Sequence, residues 1–123
     1  MNFARLTAIA EEVVATARRR LPPAVRTVAD TVPVCCEPQP NDGLVIDGVE
    51  ADSLGLFVGH EHRGELGETQ PLPPQILLFL DNILDLAEGD EAVYRDEVRL
   101  TYLHELGHYL GWDEDEIARR GLE

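Results

Sequence analysis

The chain has 123 residues, enough to bury one hydrophobic core and too few for two, so we expect a single domain over residues 1–123. Its ten basic residues, all arginine, stand against 24 acidic ones, and the formal net charge of −14 argues against nucleic acid or an anionic membrane as a partner. No apolar run approaches the roughly 18 residues of a membrane span, and Glu11 and Glu12 interrupt any signal-peptide core. We therefore expect a soluble, cytoplasmic protein.

The first predicted element is an amphipathic helix from Asn2 to about Arg20. Its apolar residues recur at steps of three and four, at Phe3, Leu6, Ile9, Val13 and Ala17. Asn2 is a suitable N-cap, and the sequence LPP at Leu21 to Pro23 ends the helix. We interpret the basic run Arg18 to Arg20 as a solvated helix end that interacts favourably with the helix dipole.

A short helical turn through Val28 and then a strand are expected next. Thr31 to Glu37 is rich in β-branched residues, and Pro33 limits this strand to a sheet edge or to a late start. The strand carries the two cysteines, Cys35 and Cys36, whose side chains point to opposite faces, so we expect two reduced and mostly buried thiols.

A glycine-rich region follows from Pro38 to Gly67, which favours loops and short hairpin-like segments over helix. Its best strand is LGLFVGHEH, which ends in His60 and His62. These two histidines alternate and share one face, but no third ligand is near them, so we interpret them as loop residues. Gln75 to Ile83, QILLFLDNI, predicts a buried strand that runs into a loop or helical turn.

A second long helix is predicted to begin after Asp90, its N-cap, and to run to about Leu110. Gly111 is able to adopt a positive φ and stop it. On this helix His104 and His108 are four residues apart, so they lie about 6 Å apart along the axis on one face and can converge on one ion. Glu105 is offset by about 100°, which puts its carboxylate beside the ion, in reach of a water there.

A third ligand is expected from the acidic segment WDEDE, because Gly111 allows the chain to turn sharply and bring this segment back to the ion. Glu114 is ten residues after His104 and three after Gly111, the offsets at which an extended HExxHxxGxxH motif places its third ligand. Asp113 and Asp115 are close alternatives. The competing interpretation is a solvated acidic segment next to surface histidines.

The segment HELGHYLGWDEDEIARRGL resembles the C-terminal signature of the small bacterial zincin-like metallopeptidases, also called minimal metalloproteases. The segments LPPAVRTVADTVPVCCEPQP, LGLFVG, QILLFLDNI and EVRLTYLHELGHYLG follow the order of that family, so the resemblance covers nearly the whole chain. It implies a compact α+β zincin-like fold: an N-terminal helix, a small mixed β-sheet and a C-terminal helix that carries HExxH. The family often has aspartate where Glu114 stands, so the third ligand stays open.

The motif and the resemblance together predict a zinc-dependent metallopeptidase. His104, His108 and Glu114 would hold Zn²⁺, and Glu105 would act as the general base. A peptide or protein substrate would add as a strand along the edge at residues 54–59. Tyr102 and Tyr109, on the same helix, are interpreted as packing residues. The alternative is a non-catalytic metal-binding or protein-interaction module that retains the zincin core, or a site that takes another divalent ion.

Overall fold

A computed structural model describes residues 1–59 and 74–120 of the chain, without the side chains of residues 114, 117 and 118. Within these residues the helices are α1 (Phe3–Arg19), α2 (Pro23–Ala29), α3 (Asp42–Ile46), α4 (Leu80–Leu86), α5 (Glu91–Tyr109) and α6 (Glu114–Arg119). The strands are β1 (Val34–Glu37), β2 (Gly55–Val58) and β3 (Gln75–Phe79). In the described ranges no helix has both the length and the apolar character that crossing a bilayer requires.

Helix α1 begins where the sequence predicts. The Asn2 side chain accepts a hydrogen bond from the backbone N–H of Arg5 at 2.9 Å, which satisfies a donor that the first turn of a helix leaves unpaired. The apolar stripe is buried in the core, with Leu6, Ile9, Ala10, Val14 and Ala17 at most 5% exposed. Burial of this stripe, rather than helix propensity, fixes α1 against its neighbours.

The sheet has three strands in the order β1-β3-β2, with β1 parallel and β2 antiparallel to the central β3. The predicted α+β class with a small mixed sheet is therefore confirmed. Side chains alternate along β3: Ile76 and Leu78 are fully buried against the helices, whereas Leu77 between them is half-buried. In the described residues β1 and β2 each pair with β3 alone, so both outer strands are sheet edges.

Helix α5 contacts α1, α4, β2 and β3, and is the element around which the core is built. Asp90 caps it by accepting from the N–H of Val93 at 3.0 Å, and Gly111 turns the chain at its end with φ of 79°. Its buried face includes Tyr94, whose hydroxyl donates to the carbonyl of Leu6 in α1 at 2.9 Å. Helix α5 is thus packed on all its inward sides. Because this packing fixes the helix, the residues on its outward face also have a defined position.

Two expectations differ from the structure, and one is confirmed. Helix α3 lies in the region that the glycines mark as loop, because the Asn41 side chain caps it at the N–H of Leu44, 2.9 Å away. The late start predicted from Pro33 is confirmed: strand β1 begins at Val34, since Pro33 has no N–H to donate and contributes only its carbonyl, which accepts from the N–H of Ile76. The acidic segment after Gly111 forms helix α6 rather than a simple turn.

The interpretation of Arg18 as solvated is wrong. Its guanidinium is partly buried and donates to the Tyr102 hydroxyl at 3.0 Å and to the Val32 carbonyl at 2.7 Å. Tyr102 is 0% exposed, and burial raises the pKa of its phenol. This arginine therefore joins the end of α1 to the helix that carries the histidines. The expectation that Tyr102 and Tyr109 are packing residues is confirmed by their burial.

Candidate metal centre

The last turns of α5 bring two imidazoles together. The Nε2 atoms of His104 and His108 lie 3.1 Å apart, and their rings are inclined at 83° with centroids 4.7 Å apart. Two nitrogens bound to one zinc ion at about 2.0–2.1 Å with a tetrahedral angle would be roughly 3.3 Å apart. The rings therefore converge as two ligands of a single ion must, and the donor set fits the metal that the motif implies.

The positions of these histidines follow from the periodicity of α5. Leu103 and Leu106 on one side of the helix are buried in the core, whereas His104, Glu105 and His108 are half-buried on the exposed side. Core packing on the inner face thus holds the rotation of the helix, and this rotation aims the imidazoles outward. Tyr109, at the end of the helix, packs edge-to-face on Phe57 of β2 with centroids 5.3 Å apart.

Glu105 completes a group of three possible ligands. One carboxylate oxygen of Glu105 and one nitrogen of each histidine all lie within 4.8 Å of one another. At this separation a carboxylate reaches an ion held by the histidines through a single intervening water. The arrangement offers two nitrogen ligands and an adjacent oxygen that can act as a base.

Strand β2 approaches α5 closely at this group. A side chain built on Gly55 would place its Cβ 2.6 Å from Cγ2 of Thr101, 3.1 Å from the carbonyl oxygen of Leu77 and 3.4 Å from Cγ of Glu105. Only glycine fits there without displacing its neighbours. The sheet edge therefore lies directly beside the carboxylate that the motif marks as the base.

A cavity of about 480 Å³ opens between α5 and the start of β2. It is lined by Ser53, Leu54, Gly55, Glu97, Leu100, Thr101, His104 and Glu105. This volume lies within the range of about 300–1,000 Å³ that ligand sites occupy. One imidazole and the candidate base thus face a space large enough for part of a peptide.

A family model described as zincin-like metallopeptidase matches residues 29–122, well over half of the chain and all of the motif. The chain belongs to the zincin-like metallopeptidase family. The resemblance drawn from HELGHYLG is thereby confirmed. A comparison with curated proteins finds no match. In this zincin-like chain the His/Glu/His group lies on a helix beside a sheet edge, and membership of the family implies a metal cofactor there.

The segment expected to supply the third ligand of the zincin-like site follows Gly111. Asp113 caps α6, because its Oδ1 accepts from the N–H of Glu116 at 2.9 Å, and Asp115 is exposed. Glu114 is the first residue of α6, and its side chain lies outside the described part of the structure. Glu114 therefore stays a prediction, and the capping bond of Asp113 disfavours that alternative. His60 and His62 also lie outside the described residues.

Several residues of the cavity were missed at the level of sequence. Glu97, Leu100 and Thr101 precede His104 by seven, four and three residues, so helical spacing alone could have placed them on its face. Leu54 and Gly55 belong to the edge at residues 54–59 that the sequence predicts for the substrate, whereas Ser53 had no such signal. The approach of these residues to α5 depends on the pairing of β2 with β3, which is a property of the tertiary fold.

Proposed function

We propose that this chain is a zinc-dependent metallopeptidase that hydrolyses peptide bonds. The observation that carries the proposal is the convergence of the His104 and His108 imidazoles with the Glu105 carboxylate beside them. Membership of the zincin-like metallopeptidase family supports the same reaction. The free thiols of Cys35 and Cys36 support a reducing compartment, and we propose that the enzyme acts in the cytoplasm.

His104 and His108 would hold the zinc ion through Nε2, with Glu114 proposed as the third ligand. When bound, zinc supplies a Lewis acid that polarises the substrate carbonyl and lowers the pKa of its water to about 7. The chain keeps both imidazoles in place by burying the opposite side of α5. This preorganisation means that little ordering is needed when the ion binds.

Glu105 acts as the general base of the proposed reaction. Its carboxylate accepts a proton from the attacking water and then delivers this proton to the nitrogen of the leaving amine. Its separation of at most 4.8 Å from the histidine nitrogens supports this role, because one water fits between them. Gly55 leaves room for this side chain, because a Cβ at that position would lie 3.4 Å from Cγ of Glu105.

The substrate would bind as an extra strand along residues 54–59. Strand β2 pairs only with β3 within the described residues, and its outer side therefore offers backbone donors and acceptors to a peptide. Its contact with α5 at Gly55 would bring such a peptide beside Glu105. N-methylation of the substrate amides that pair with β2 should abolish cleavage, whereas methylation of amides that point away should not.

The deciding experiment compares the parent protein with Glu105→Gln after zinc loading. Loss of the general base should lower peptide turnover by about 10²–10⁴-fold, while zinc content, measured by atomic absorption, stays equal. Glu88→Gln is the matched control, because the same chemical change is made at an exposed position in the turn before α5. Equal turnover by parent and Glu105→Gln would contradict the proposed base. Zinc binding without turnover of any peptide in a library would instead indicate the non-catalytic metal-binding module.

A further inference from the structure

The cavity beside the candidate centre carries a carboxylate that the proposed reaction does not use. Glu97 lines it together with Leu54 and Leu100, and the side chain of Glu97 is half-buried. Glu97 precedes His104 by seven residues, which is two turns of α5 and about 10.5 Å along its axis. The same face of one helix therefore presents first Glu97 and then the metal-binding histidine to the same space.

The charge of Glu97 is not compensated by the described residues around it. The neighbours one turn away on α5 are Val93, Tyr94, Leu100 and Thr101, none of them cationic. Among the residues that the structure describes no arginine lines the cavity, and the sequence contains no lysine. In the described parts of the chain no guanidinium forms an ion pair with Glu97. A half-buried carboxylate that lines a cavity can form a charge-assisted hydrogen bond with a cationic side chain that enters it.

The direction of β2 determines which part of a bound peptide would meet Glu97. Gly55 lies against Thr101 and Glu105, whereas Phe57 packs on Tyr109, so β2 runs along α5 in the same direction. Antiparallel pairing is the more stable arrangement of two strands. A substrate paired in this way runs opposite to α5, and its residues after the scissile bond pass over the start of β2 towards Glu97. At about 3.4 Å per residue of an extended strand, Glu97 lies within about three residues of the scissile bond.

We propose that Glu97 selects substrates with an arginine or lysine side chain on the C-terminal side of the scissile bond. The carboxylate of Glu97 pairs with the cationic head, and Leu54 and Leu100 contact the aliphatic stem of the same side chain. This inference rests on the proposed peptidase function, because it assigns a substrate class to the same cleft.

The test measures binding separately from cleavage. The probes are fluorescein-labelled hexapeptides of alanine and leucine that carry one arginine at a scanned position, each with a twin in which citrulline, the neutral isostere, replaces arginine. Fluorescence anisotropy gives their affinity for zinc-loaded Glu105→Gln protein, and kcat/KM is measured with the parent. At the preferred position the arginine peptide should bind about tenfold more tightly than its twin, as expected for a hydrogen bond to a charged group.

Two variants and one matched control assign this selectivity to Glu97. Glu97→Gln should bring the ratio of the affinities for the arginine and citrulline peptides close to one. Glu97→Arg should reverse the charge preference, so that a peptide with glutamate at the same position binds more tightly than its glutamine twin. Asp96→Asn removes a carboxylate from the residue of α5 that precedes Glu97. Asp96 lines a different cavity, between α1 and α5, so this variant should leave the affinity ratio unchanged. Circular dichroism spectra check that every variant is folded.

The outcomes separate this inference from the proposed function. Selective binding that depends on Glu97, without cleavage, would support Glu97 as the residue that recognises the cationic side chain and would count against the peptidase. Cleavage with equal kcat/KM for arginine and citrulline peptides would overturn the inference and leave the peptidase standing. A ratio that survives in Glu97→Gln, or no binding of any peptide, would also overturn it.

Discussion

The Nε2 atoms of His104 and His108 lie 3.1 Å apart on the outward face of α5, whose opposite face is buried in the core. Core packing of α5 therefore holds the two proposed ligands in position. We expect His108→Ala to lower zinc affinity by at least about 100-fold, because it removes one of these two proposed ligands. Competition with a fluorescent chelator measures the affinity, and Asp96→Ala on the same helix is the control. Unchanged affinity in His108→Ala would show that the ion binds elsewhere.

The third ligand can be identified by comparing three neighbouring acidic residues. Glu114→Ala should weaken zinc binding strongly, and Asp115→Ala should leave it unchanged because Asp115 is exposed. Asp113→Ala should destabilise α6 by about 1 kcal/mol through loss of its cap, with a smaller effect on the ion. The same chelator assay, combined with urea unfolding, distinguishes the two effects. A larger loss of zinc affinity from Asp113→Ala than from Glu114→Ala would reassign the ligand.

Local sequence signals predict the motif helix and the convergence of its two histidines well, for a physical reason. The HExxH spacing and the Asp90 cap act within one or two helical turns, and the structure confirms the helix and the convergence of the imidazoles. Helix α3 was missed because its five residues are started by Asn41 amid glycines, where composition favours loops. Short helices of this kind depend on one capping bond. The average composition of a segment does not reveal such a bond.

Contacts between distant parts of the chain could not be predicted from the sequence. Arg18 and Tyr102 are 84 residues apart, yet their hydrogen bond joins α1 to α5. Gly55 meets Thr101 only because the sheet brings β2 against the motif helix. Nothing in the local sequence distinguishes Arg18 from the solvated arginines next to it, and the predicted strand that contains Gly55 carries no signal of the contact with Thr101.

Gly55→Ala tests the close approach of β2 to α5. The added Cβ would lie 2.6 Å from Cγ2 of Thr101, so we expect a loss of stability of about 1–3 kcal/mol, typical of overpacking. Turnover should also fall, because Cγ of Glu105 is 3.4 Å from the same point. Thermal unfolding and peptide turnover measure the two effects.

A second substitution provides the control for this prediction. Thr101→Ser removes the Cγ2 methyl group, so Gly55→Ala should cost less in the Thr101→Ser background than in the parent. The rescue should be partial, since the carbonyl oxygen of Leu77 remains 3.1 Å from the added carbon. Strictly additive effects of the two substitutions would show that Thr101 is not the obstacle.

The hydrogen bond between Arg18 and Tyr102 should contribute measurably to stability. Tyr102→Phe removes one of the two hydrogen bonds that the partly buried guanidinium makes to described residues, and we expect a loss of about 1–3 kcal/mol in urea unfolding. In an Arg18→Met background the same change should cost much less, because no donor is left unpaired. Equal losses in both backgrounds would mean that the hydroxyl stabilises the fold by another route.

Alkaline pH should weaken the fold through Cys36. Burial, reinforced by the charge of Glu11, raises the pKa of this thiol from 9.0 to about 11. The folded state therefore holds the proton more tightly than the unfolded state, and this stabilisation is complete below pH 9.0 and is lost as the pH rises through about 11. The free energy of urea unfolding should fall over this interval, and the fall should be shallower in Cys36→Ala.

Cys35→Ala is the matched control for the alkaline effect, since it removes the neighbouring thiol of the same strand. Cys35 is only a minor cause of the raised pKa of Cys36, so this variant should change the slope much less than Cys36→Ala. Burial also raises the pKa values of Tyr94 and Tyr102, so all variants should still lose stability above the ordinary tyrosine pKa of 10.0. The informative quantity is therefore the difference between parent and Cys36→Ala at each pH. A constant difference from pH 9.0 to about 11 would show that the thiol titrates alike in the folded and unfolded chain. A difference that shrinks with rising pH locates the lost stability at Cys36, because the parent then loses an advantage that the alanine variant never had.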